Sequence, residues 1–78
     1  MRNIKLIWDF RGPAAAKTAE HHDIHLREFV EAEQVTPGLT GWETIHEFHA
    51  IAYLVVAEKD MMTIRDRLLP HRGVVYEG

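Results

Sequence analysis

Neither cysteine nor serine occurs in this 78-residue chain. Without cysteine no disulfide can staple the fold, which suits a reducing compartment. Without either residue nucleophilic catalysis has little support, since the threonines stand beside no obvious base. Gly-rich phosphate loops are missing too. No block of Lys or Arg is present: Arg65 and Arg67 are split by Asp66, so a nucleic-acid surface is not expected. Long apolar runs are also lacking. The first one, in NIKLIWDF, is broken by Lys5 and Asp9; it is too short for a signal-peptide core and far below the ~20 residues that span a bilayer. The chain reads as soluble and cytoplasmic, with no membrane partner.

What the sequence does have is apolar content and histidine. Hydrophobic residues make up 46% of it, enough for a core and too much for disorder. One domain, residues 1–78, is all this length allows. So small a core is marginal, and a metal or a second subunit is the remaining staple. Nine basic and twelve acidic residues give a net charge of −3, and there are six histidines: His21, His22, His25, His46, His49 and His71.

Residues 3–10 alternate, with Ile4, Leu6, Trp8 and Phe10 against Lys5, Ile7 and Asp9, which predicts a strand. Arg11-Gly12-Pro13 stops it and opens a helix running from Pro13 to about Glu33. At 100° per residue, Ala15, Ala19, His22, Leu26, Phe29, Val30 and Glu33 form one stripe, with His22 at its centre. Gln34 to Gly41 reads as a loop. Trp42 to Phe48 alternates as an edge strand, with Trp42, Thr44, His46 and Phe48 on one side. His49 to Ala57 is apolar on both faces and therefore central. Asp60 is the expected N-cap of a second helix, striped by Met61, Ile64 and Leu68 and ended by Pro70. Arg72 to Glu77 closes as a short strand.

This order, β-α-β-β-α-β, predicts an α+β domain of ferredoxin-like type. Its antiparallel sheet should have strand order 4-1-3-2, with both helices on one face. The second face carries Ile7 and half of the doubly apolar third strand. A second copy packed sheet to sheet would bury it, so a homodimer through the open sheet face is expected.

The stretch AYLVVAEKDMMTIRDRLLPHRGVVYEG resembles the second half of the dimeric α+β-barrel superfamily. There an apolar strand leads through an acidic turn into a short helix, a Leu-x-Pro stop and a last strand. Within that group the chain is similar to its short, uncharacterised bacterial members. The resemblance implies a dimer with a pocket between sheet and helices, and no particular reaction. The superfamily includes monooxygenases, muconolactone isomerase-like enzymes and polyketide cyclases, but no position here matches one of their catalytic motifs.

Several residues could carry chemistry. His21 and His25 are four apart on one helix flank, a spacing that can present two imidazoles to Zn, Ni or Cu, and Glu28 is a possible third ligand. The plainer reading is a solvated pair. His22, on the apolar stripe, is either a neutral core histidine bonded to a backbone carbonyl or a general base. His46 and His49 flank a strand junction and could complete a metal site across a subunit boundary or act as acid and base; the plainer reading is edge-strand and turn histidines that do neither. His71 is read as an electrostatic cap of the last helix. Trp8, Trp42 and Tyr53 are candidate pocket walls, or else core and interface. Asp9 and Arg11 stand where the first strand meets the helix, a position where Arg11 could orient an anion.

Three functions follow. The first is a small dimeric binding or regulatory protein, without catalysis or a resident cofactor, that takes a small-molecule ligand. The second is a cofactor-independent or metal-assisted enzyme of the dimeric α+β-barrel type, with His22 or His46 as general base. The third is weak transition-metal binding through the helix histidines.

Overall fold

The computed structural model describes residues 2–77. The elements are β1 (Asn3–Arg11), α1 (Ala15–Glu33), β2 (Pro37–His46), β3 (His49–Ala57), a single 3-10 turn (Glu58–Asp60), α2 (Met61–Leu68) and β4 (Arg72–Tyr76). The four strands form one antiparallel sheet in the order β2-β3-β1-β4. This is the 4-1-3-2 arrangement read from its other edge, and the fold is ferredoxin-like α+β.

Two-residue periodicity explains the helix-covered face. Ile4, Leu6 and Trp8 of β1 stand opposite Val56, Leu54 and Ala52 of β3. All six are buried and join Leu26 of α1 and Ile64 of α2 in one apolar cluster, flanked by Phe10, Phe29, Val30, Met61 and Leu68. Near the start of α1, Ala15 and Ala19 meet Ala50 of β3, because short side chains let the helix lie close to the sheet.

Four features differ from the sequence reading, each for a local reason. Helix α1 begins at Ala15 and not at Pro13: Gly12 takes φ +112° and Pro13–Ala14 form a turn with no side-chain cap. Asp60 precedes α2 but makes no capping hydrogen bond. The loop expected over Gln34–Gly41 is strand from Pro37 onward. An edge strand tolerates a proline because the absent N–H can face outward. Gly38, at φ +67°, absorbs a shift in register between Pro37 and Leu39. A side chain there would run into Val30 and the Val35 carbonyl.

The fourth difference matters most for function. Trp42 and Thr44 oppose Ala52 and Ala50 on the helix side, but the register slips at Ile45 and His46 then opposes His49. Such a bulge reverses the alternation. His46 therefore lies on the open face and not on the side of Trp42. A two-residue turn, Glu47-Phe48, closes the hairpin.

On the open face Ile7, Ile51 and Val55 are buried to 4, 3 and 0% exposure within a single chain. Their neighbours close over them. Lys5 Nζ stands 4.3 Å from the centre of the Tyr53 ring, and that ring lies where a Cβ on Gly41 would be. A second copy is thus not what shields these three residues. Leu39 and Val74 remain exposed there, at 47 and 43%.

Candidate functional site

The ladder brings three polar side chains together at one end of the open face. Asp9 opposes Ile51, Arg11 opposes His49, and Ile7 opposes Arg72. His49 and Arg72 therefore reach Asp9 diagonally, from the two strands that flank β1. Asp9 Oδ1 lies 2.7 Å from His49 Nε2. Arg72 donates to the same carboxylate twice, from Nε to Oδ2 at 2.9 Å and from Nη2 to Oδ1 at 3.1 Å. The His49 and Asp9 side chains are only 10 and 16% exposed.

Hydrogen bonding from Arg72, helped by His49 and opposed by burial, holds the Asp9 carboxyl down to about 2. Asp9 is thus an anion at neutral pH and can only accept, so the proton between Asp9 and His49 belongs to His49 Nε2. A neutral His49 then carries its lone pair on Nδ1. That atom bonds no described residue, and it is not among the fully buried polar atoms left without a partner, so its lone pair is unused.

His46 has the opposite tautomer. The Phe48 backbone N–H donates to His46 Nδ1 at 3.2 Å, so a neutral His46 keeps its proton on Nε2. The two rings stand edge to face, with centroids 5.5 Å apart. One histidine offers an acceptor and its neighbour a donor. A buried carboxylate and a bulged hairpin keep them that way.

His71 also contributes through its tautomer. Strand β4 pairs with β1 only as far as Ile7. Beyond that point the Asp9 backbone N–H donates to His71 Nδ1 at 2.7 Å, while the His71 backbone N–H donates to the Ile7 carbonyl. An imidazole that accepts at Nδ1 is neutral, so the cationic cap expected at His71 gives way to a side chain that continues the ladder.

The remaining predicted residues are scattered. Trp8 is core: its Nε1–H donates to the Leu68 carbonyl at 3.0 Å. Trp42 is on the helix face, whereas Tyr53 and Arg11 are on the open face. These four do not line one pocket. His22 is half-buried between Trp8 and Phe10, at ring distances of 4.9 and 5.5 Å. Its Nε2 is buried without a partner, so the expected bond to a backbone carbonyl is absent at that atom. Burial first, then the nearby His25 and His71, lowers its pKa, against an opposing pull from Asp23.

His25 Nδ1 lies 3.4 Å from Glu28 Oε1 on an exposed flank. Among the described residues no group of three or more His, Asp or Glu side chains is placed to hold a metal ion. Asp23, one turn from Ala19, is an unexpected buried acid at 7% exposure; Arg27 Nε stands 3.4 Å from its Oδ2. A groove of about 290 Å³ runs between α2 and β4 over Ile4, Leu6 and Val75 and is bordered by His71 and Arg72.

Sequence reasoning weighed His46, His49 and Asp9 but passed over Arg72. The signal was faint: a charge at the head of a short strand is usually solvated, and only the register of β4 on β1 brings it to Asp9. Comparisons with family models, curated proteins and solved structures gave no match to this chain. Among the described residues no helix is long and apolar enough to cross a membrane.

Proposed function

We propose that this chain is the protomer of a small homodimeric binding domain whose ligand site is the open sheet face at the ends of β1 and β3. The observation that carries the reading is the Asp9–His49–Arg72 cluster. A structural ion pair would serve as well with no histidine in it. Here the carboxylate fixes an imidazole whose second nitrogen is left unused, beside a second imidazole of opposite tautomer. Such a pair suits a small polar molecule with an acceptor next to a donor or an acidic hydrogen.

The same face carries the exposed Leu39 and Val74. A second copy seated on them would close the site from above. The resemblance to the dimeric α+β-barrel superfamily supports the same arrangement, and a cytoplasmic location agrees with the absence of cysteine.

Two measurements test the proposal. Light scattering at micromolar concentration should give about twice the 9.0 kDa chain mass. Titration with pyruvate, which has a carbonyl acceptor and acidic hydrogens, should shift the ¹⁵N ring resonances of His46 and His49 and leave His21 and His25 unmoved. A monomer, together with histidine resonances that do not respond to pyruvate, would defeat the reading.

A further inference from the structure

From the binding site just proposed, we infer that the chain catalyses proton transfer at a carbon next to a carbonyl, with His49 as base and His46 as hydrogen-bond donor to the carbonyl oxygen. The substrate class is a small enolisable oxo acid. This inference rests on that site but asks more of it than binding.

Each role follows from a position. A base for a carbon acid needs an available lone pair, a partner for the charge it acquires, and a fixed orientation. His49 Nδ1 supplies the first, and Asp9 at 2.7 Å from Nε2 supplies the other two. The bidentate Arg72 keeps Asp9 ionised and in place, so the imidazolium that forms on His49 meets a carboxylate that does not take its proton. Asp9 and Arg72 are positioning residues.

Negative charge arises on the substrate oxygen as the C–H bond breaks. A neutral imidazole N–H, being a weak acid, can stabilise that oxygen without giving up its proton. His46 is such a donor, its tautomer set by the Phe48 N–H. Arg11 is opposite His49 across the ladder, and among the described residues it enters no ion pair. It is the group available for a substrate carboxylate.

The step balances within the protein. The C–H pair becomes the C=C bond of the enolate, the carbonyl π pair moves to oxygen, and the proton goes to His49 Nδ1. Its return to the same carbon exchanges hydrogen with water, and its return to a neighbouring atom isomerises the substrate. No oxidant, reductant or metal is required.

Exchange of the pyruvate methyl protons in deuterated water, followed by proton NMR, tests the inference. The wild-type dimer should exceed free imidazole at equal concentration by at least a hundredfold. His49→Gln should abolish the excess. His46→Gln should lower the saturated rate about a hundredfold or more, as the loss of one donor to a developing oxyanion does. Arg11→Met should raise the half-saturating pyruvate concentration and leave the saturated rate close to wild type. His22→Gln, on the other sheet face, should change neither.

Each variant is checked for a native amide spectrum. If His49→Gln does not fold, the exposed His46→Gln decides alone. Pyruvate that shifts the two histidine resonances without accelerated exchange overturns proton transfer and leaves the binding site standing. Exchange that survives both histidine substitutions overturns the assignment of the residues. Absence of both exchange and shifts overturns the binding site as well.

Discussion

The two faces of this sheet solve the same packing problem with opposite chemistry. Under the helices, Leu6, Trp8, Leu26, Leu54 and Val56 exclude water by apolar contact. The one imidazole admitted there, His22, is pushed toward its neutral form by burial and has no partner for its inner nitrogen. On the open face no helix is available, and the apolar residues are screened by Lys5, Tyr53 and an ionised cluster. Under the helices charge is confined to one buried acid, Asp23 of α1, whereas charge is used to finish the other face. The helix face is thus closed by apolar packing, and the open face by charged and aromatic side chains laid over a few apolar ones.

The sharpest way to break this contrast is to place the same acid on both faces. Val55 and Val56 are adjacent in β3 and both fully buried. Val56→Asp puts a carboxylate into the apolar cluster that contains Ile4, Leu54 and Ile64. That should cost more than about 4 kcal/mol, enough to unfold so small a chain, read as loss of the cooperative denaturant transition. Val55→Asp points the other way, with Lys5 directly across the ladder. It should retain a folded state, weakened by roughly 2 kcal/mol. Equal damage from both would erase the distinction between the faces.

Acid should distinguish them again, in two separate windows. A histidine whose folded pKa is lowered loses stability as pH falls, because the unfolded chain takes up its proton first. For His22 that loss begins near 6.5 and continues down to its depressed folded value. A carboxyl whose folded pKa is lowered contributes stability above its unfolded value and loses it as pH falls through the folded one. For Asp9 the loss runs from 3.8 to about 2 and amounts to roughly 2 kcal/mol. Denaturant midpoints measured against pH should show both. His22→Leu should flatten the upper window alone and Asp9→Asn the lower alone. Two windows that responded together to either substitution would mean that the faces titrate as one unit.

Much of the fold was legible because it rests on periodicity. Alternation in NIKLIWDF and the double apolarity of HAIAYLVVA sufficed to place β1 and β3 at the centre, and element order then placed β2 and β4 at the edges. The site was less legible because it depends on register. A single extra residue at Ile45 moves His46 from the side of Trp42 to the side of His49, and nothing in TIHEF marks a bulge. Arg72 meets Asp9 only once β4 is aligned on β1. The roles of His46, His49 and His71 also depend on which ring nitrogen carries the proton, and that is set by a partner as far as 62 residues away. Residue type can nominate a histidine; only its neighbours decide what it can do.

The smallest expected effect on stability belongs to Leu39→Glu, and it bears most directly on assembly. Leu39 opposes Val55 on the open face but is 47% exposed. In an isolated chain its replacement should alter stability by no more than about 0.5 kcal/mol, the usual range for a surface position. In a sheet-to-sheet dimer the same carboxylate is trapped against a second apolar surface, where an unpaired charge costs several kcal/mol. Light scattering should then report a dimer for the wild type and a monomer for Leu39→Glu, with both retaining a cooperative transition. The monomer should also lose pyruvate-induced shifts at His46 and His49 if the second copy closes the site. A variant that stays dimeric would place the subunit contact elsewhere, with the exposed Val75 edge of β4 the next surface to probe. A variant that turns monomeric yet binds pyruvate normally would show that the site belongs to one chain.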